Sequence, residues 1–182
     1  MNRFSIVTTM ALVTLVCGCA TKPVRYLTLD MDTSGSITSG GQVAIEAIEL
    51  GDALRRPELL VQASATEIEY YGDAHWVSNL TELVTEKLES EFGSAEVGHD
   101  PVRLRAKVWH FGEDETADPR CGRVKISVSA WSADTSSRDD PDWSQVYEEC
   151  VPIEGDDVSH VAASLSTALE VIALQIAGDA AR

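Results

Sequence analysis

The chain has 182 residues, with 14 Lys and Arg against 30 Asp and Glu and a formal net charge of −16. A length near roughly 150 residues favours one domain with enough core to fold without a metal or cystine scaffold. Such acidity opposes electrostatic binding to nucleic-acid phosphates, and a hydrophobic content of 44% excludes both a polytopic membrane protein and a fully disordered chain.

Residues 1–20, MNRFSIVTTMALVTLVCGCA, start basic at Arg3, pass through an apolar run over 4–16 and end in small residues and cysteines. This is the pattern of an export signal. The run is shorter than the roughly 20 residues a membrane-spanning helix needs. Its ending, Leu15-Val16-Cys17-Gly18-Cys19, resembles the bacterial lipoprotein signal, in which a small residue precedes a cysteine that takes a diacylglycerol and an N-acyl chain. Gly18 fits the small position and Cys19 is the lipidation candidate, whereas Cys17 would put Val16 there. An ordinary secretory signal cut nearby is the alternative.

Cleavage before Cys19 gives a signal peptide over 1–18, a lipidated tether over 19–23 and one domain over 24–182. Arg3 is the one charge removed, so the mature chain stands at −17. Each buried methylene of an acyl chain adds about 0.8 kcal/mol of membrane affinity, so the chain is tethered and not spanning. Ala20, in place of an Asp after the cysteine, resembles lipoproteins sorted to the outer membrane.

Residues 24–29 alternate as a first strand, followed by a Gly/Ser-rich loop over 30–41. A second strand is expected over 42–50, then a turn through Gly51 and Pro57, then a hairpin of strands over 59–63 and 66–71. From Val77 the period becomes helical: Val77, Leu80, Leu83, Val84, Leu88 and Phe92 share one face, and Gly93 can end the helix. Half-buried strands follow, one with Val102, Leu104, Ala106 and Val108 and one with Val124, Ile126, Val128 and Ala130. An acidic loop over 113–120 lies between them, and an Asp-rich loop over 134–142 precedes a last strand over 144–152. Asp156-Asp157 then opens a long helix carrying Val158, Val161, Leu165, Leu169, Ile172 and Ile176. The predicted class is α+β, a largely antiparallel sheet with two helices packed on one face.

Two distant cysteines, Cys121 and Cys150, in an oxidising periplasm favour a disulfide over a metal or catalytic site. It would join the beginning of one strand to the end of the next.

Tyr26-Leu27-Thr28-Leu29 after the lipid-attachment pattern resembles the opening of the ABC-type transport auxiliary lipoproteins, the PqiC-like family. Val43-Ala44-Ile45-Glu46-Ala47-Ile48-Glu49-Leu50 and Leu54-Arg55-Arg56-Pro57-Glu58-Leu59-Leu60-Val61 are similar to that family's next motifs, and Trp76, Leu80 and Leu83 to the one after. The chain departs from the pattern at Ala53, where the family has Tyr, and in its cysteine pair. The resemblance implies a non-enzymatic envelope component that works with an ABC transporter and a mammalian-cell-entry (MCE) domain protein bridging the periplasm for lipid transport. It needs no cofactor beyond the acyl chains.

Two partner-binding candidates follow. Arg55-Arg56-Pro57 is either a family signature that binds or a charged turn before an edge strand. Arg103, Arg105 and Lys107, joined by Arg123 and Lys125 if the two strands pair, form either an acceptor face for an acidic partner or lipid headgroup, or a solvated face balanced by nearby carboxylates. His75, His99, His110 and His160 show no ligand or triad spacing, and no nucleophile elbow, zinc motif or phosphate loop occurs. The segments 113–115 and 139–142 lack the ligand alternation of a calcium loop and read as solvated turns. A chaperone or plug for an outer-membrane assembly machine is the competing class, and exposed sheet edges leave homo-oligomerisation open.

Overall fold

The computed structural model describes residues 23–31, 43–92, 101–132 and 140–181. In chain order the elements are β1 (Arg25–Leu27), β2 (Val43–Leu50), a 3-10 turn (Asp52–Leu54), β3 (Glu58–Ser64), β4 (Glu67–Trp76) and α1 (Leu80–Phe92). They continue as β5 (Val102–Asp114), β6 (Cys121–Trp131), β7 (Trp143–Pro152) and α2 (Val158–Ala180). The expectations for Cys19, the tether, the loop over 32–41, Gly93 and His99 lie outside the described residues.

The sheet runs β1-β4-β3-β5-β6-β7, with β2 also on β5. Its two longest ladders, β5 with β6 and β6 with β7, are antiparallel, as is the β3–β4 hairpin. The α+β expectation holds, with three parallel pairings added: β1 on β4, and β2 and β3 on β5. The 13 residues of β5 make this possible, since one of its edges serves β2 along 102–108 and then β3 along 112–114. The backbones of β3 and β5 meet closely at Gly112, where an added Cβ would lie 2.3 Å from the carbonyl oxygen of Leu60. The strand after Pro57 is therefore interior to the sheet, so the charged-turn alternative does not precede an edge strand.

Alternation in β6 sorts the two faces. Gly122, Val124, Ile126, Val128 and Ala130 are buried beneath α2, and an added Cβ at Gly122 would come within 2.8 Å of Ser164 Cβ. Arg123, Lys125, Ser127 and Ser129 point the other way and are half-buried. From α2, Leu165, Leu169 and Ile172 are wholly buried in the core, each worth about 1.5–3 kcal/mol by removal from water. This apolarity gives α2 the length and composition of a spanning segment, but most of it is covered by the rest of the fold.

The expected opening of α2 is present in detail. Asp157 is the N-cap and accepts from the Ser159 amide at 2.8 Å. Arg25 of β1 reaches the same carboxylate with two bonds of 2.8 and 2.9 Å, so the first strand is tied to the last helix. That contact, together with Ser159, holds the Asp157 carboxyl well below the usual range.

α1 begins three residues later than its periodicity suggests. Val77 is exposed and donates its amide to Leu27, while the Asn79 side chain accepts from the Thr81 amide. Leu80, Leu83, Val84 and Leu88 are buried as expected, but Lys87 and Glu91 share their stripe. Lys87 lies 2.7 Å from Glu91 and 2.8 Å from Glu170 of α2. Burial draws its pKa down, and the hydrogen bonds to Glu170 and Glu91 outweigh this and leave it raised.

One segment corrects the sequence reading. Glu113 and Asp114 are the last residues of β5 and fully buried, not part of a solvated acidic turn. Glu113 takes Arg120 at 2.5 Å and the Tyr71 hydroxyl, and Arg123 lies 2.6 Å from Asp114. Burial first, then Glu113, raises the Tyr71 phenol. A buried carboxylate persists only with partners of this kind.

Candidate docking site

Arg55-Arg56-Pro57 closes one side of a groove of about 670 Å³. The turn stands out from the sheet because β2 ends where the Gly51 amide bonds to the Val108 carbonyl and β3 begins seven residues later. The 3-10 turn between them sends Leu54 inward, 3% exposed. Ile48, Glu49 and Leu50 of β2 form a second wall, and Ser78, Asn79, Leu80 and Thr81, entering α1, form the third. Trp76 lies on the floor, packed edge-on to Phe111 at 5.6 Å between ring centroids.

The two arginines are held loosely. Arg55 sits 3.4 Å from Asp52 and Arg56 3.9 Å from Glu58, with side chains 70% and 58% exposed. Exposed pairs of this kind contribute little, so both guanidiniums remain available to an outside anion. Arg56 also lies over the Tyr70 ring at 4.6 Å, which sets its direction. The opposite wall, 78–81, was not legible as part of a site, although an Asn before an apolar helical period marks a helix start.

The second candidate is also assembled as expected, and three of its five cations already face carboxylates. Pairing of β5 with β6 brings Arg103, Arg105, Lys107, Arg123 and Lys125 to the sheet face away from the helices. Arg105 pairs with Glu46 at 2.8 Å, Lys125 with Glu148 at 2.9 Å, and Arg123 with Asp114 and, at 3.8 Å, Glu148. Arg105 lies 5.3 Å from the centroid of Trp131, and Lys107 lies 4.2 Å from that of Trp109. His110 stands opposite Lys125 in the β5–β6 register. Burial first, then Arg123, lowers its pKa.

Cys121 and Cys150 form a disulfide with Cα atoms 5.5 Å apart, joining the beginning of β6 to the end of β7. Among the described residues no group of three or more His, Cys, Asp or Glu side chains is placed to hold a metal. His75 of β4 packs edge-on against Tyr26, and β3 lies between β4 and the strand that carries His110.

Among solved structures, the crystal structure of protein XCC0632 from Xanthomonas campestris, a DUF330 protein, matches with a TM-score of 0.63 at 17% identity. The match covers 85% of this chain and 90% of that one. A second crystal structure, of an uncharacterized protein, gives a TM-score of 0.67 at 14% identity over 87% of this chain and 99% of the other. Both likenesses concern the fold. No curated protein matches the chain. The family model described as ABC-type transport auxiliary lipoprotein component matches residues 27–177, from the end of β1 almost to the end of α2. The chain therefore belongs to the family of ABC-type transport auxiliary lipoprotein components.

Proposed function

We propose that the chain is a non-enzymatic lipoprotein of the Gram-negative outer membrane, anchored through acylated Cys19. Its domain faces the periplasm and docks on the MCE-domain bridging protein of an ABC-type system that moves lipid between membranes. The family match over 27–177 carries this reading. A groove on the domain, open to a partner and flanked by two loosely held arginines, supports it. The acyl anchor fixes the protein to a surface regardless of charge, so a net charge of −16 is compatible with a membrane location. Acidity then serves solubility and leaves Arg55 and Arg56 as a local exception.

Membrane fractionation with and without Cys19→Ala, followed by affinity isolation in mild detergent, tests the reading. Wild type in the outer membrane together with the MCE-domain protein, and Cys19→Ala in the soluble periplasm, is the expected outcome. Wild-type protein in the soluble fraction, or isolated from the outer membrane without any transporter component, would overturn it.

A further inference from the structure

We infer that the domain rests on the phospholipid surface that holds its anchor, with Val24, Tyr26 and Val77 set into the headgroup layer. This rests on the acylation of Cys19 proposed above and names the surface through which the domain meets the membrane. Of the opening Tyr26-Leu27-Thr28-Leu29, the two leucines belong to the core, at 7% and 1% exposed, whereas Tyr26 stands 68% exposed. In the parallel pairing of β1 with β4, Tyr26 is opposite His75 and Leu27 opposite Trp76. Leu27 and Trp76 are buried, so Tyr26 and His75 face the other way, and their rings meet edge-on at 6.2 Å. Val77 follows the end of β4, is held by its amide to the Leu27 carbonyl, and is 57% exposed. Val24, just before β1, is 42% exposed. Two valines and a tyrosine thus stand exposed at one corner of the sheet. Tyrosine, with an apolar ring and a polar tip, suits a boundary between hydrocarbon and water.

The length of the tether decides what covers this corner. Five residue steps separate Cys19 from Val24, and fully extended they span at most about 18 Å. A domain of this size is roughly 35 Å across. Whatever path the tether takes, the corner bearing Val24 is held within about half a domain width of an acylated Cys19. The charges around the corner are close to balance. Lys22 precedes it in the tether, Arg25 is paired with Asp157 and feels Asp73, and Glu58, opposite His75 on β3, lies 3.9 Å from Arg56. Contact therefore depends on burial of apolar surface and not on attraction to anionic lipid, which a strongly acidic chain would not gain. Val146 of β7 is exposed to a similar degree, 52%, but β7 ends the sheet order that β1 begins, so no short tether brings it to the membrane.

The test uses the full-length lipoprotein, floated with phosphatidylcholine vesicles and, separately, in cells carrying the complete transport system. The photoreactive residue p-benzoylphenylalanine replaces Tyr26, Val77 or Val146. Phospholipid adducts roughly tenfold more abundant from positions 26 and 77 than from 146 are expected in both settings. With the probe at 77, Val24→Asp with Tyr26→Asp should lower the lipid adduct roughly fivefold, which mere nearness to the anchor would not do. An intact Cys121–Cys150 disulfide in that variant reports that it has folded. Lipid adducts that are absent or equal at the three positions in vesicle-bound protein overturn this inference and leave the anchor standing. So does an unchanged yield in the Asp variant, and so do adducts from 26 and 77 in cells to the MCE-domain protein or a second copy of the chain alone. Wild-type protein that does not float with the vesicles removes the anchor reading and the inference together.

Discussion

The two flanks of β5 are built in opposite ways. On one flank β6 and β7 run antiparallel over ten or more residues, closed by a disulfide and roofed by α2. Glu113 and Asp114 are buried there against Arg120 and Arg123. On the other flank β2 and β3 follow one another in parallel, separated by a protruding turn, and the charges of that turn are exposed and loosely paired. The first flank holds its polar groups inward and spends them on the fold. The second leaves an apolar-floored groove and two cations to the outside, so rigidity sits next to a surface open to solvent.

Truncating the core on each flank gives the largest contrast. Leu169→Ala, in a wholly buried position of α2, should destabilise by about 3–5 kcal/mol, and Leu54→Ala, beside the open groove, by about 2 kcal/mol. Urea unfolding measures both, and equal losses would erase the distinction. Removing the disulfide with Cys121→Ala and Cys150→Ala should cost about 3 kcal/mol, given the 29-residue separation. It should leave partner binding intact, since the bond lies on the closed flank. Gly122→Ala should cost about 1–3 kcal/mol because the added methyl pushes Ser164, and α2 with it, away from β6.

Acidification should act on the closed flank through three groups. The His110 pKa is lowered in the fold, so the unfolded chain takes up the proton first and stability falls as pH drops below about 6.5. Burial tends to raise the Asp114 carboxyl, but Thr116 and then Arg123 hold it below its ordinary 3.8. The Asp157 carboxyl is also depressed, chiefly by Arg25. Stability from these two carboxylates is present above their ordinary pKa and is lost as pH falls through and below it. A thermal-unfolding series should decline toward acid, and His110→Gln should flatten its first step. The smallest effect on stability is at the groove. Arg55→Glu with Arg56→Glu should stay within about 0.5 kcal/mol of wild type, as exposed substitutions do.

Much of this fold was legible where one side chain in two faces the core. Val124, Ile126, Val128 and Ala130 announce both a strand and its buried face, and Asp157 announces the start of α2. The run Glu113-Asp114 was misread because its partners are distant: Tyr71 belongs to β4, and Arg120 and Arg123 to the far side of a turn. Lys87 was hidden similarly, since Glu170 lies on another helix. The five cations of the sheet face were placed correctly by alternation, but Glu46 and Glu148, which neutralise three of them, come from neighbouring strands. For the groove, Arg55-Arg56-Pro57 was legible as a candidate. Its walls at 48–50 and 78–81 are brought to it by long-range packing, with β2 laid parallel on β5, which no local pattern encodes.

The most direct measurement is the amount of MCE-domain protein retained by the full-length lipoprotein in mild detergent, compared between two charge reversals. Arg55→Glu with Arg56→Glu should reduce retention roughly tenfold, while Arg103→Glu with Arg105→Glu should leave it near wild type. Loss of retention on reversing the sheet face, with the groove variant unaffected, would contradict the account.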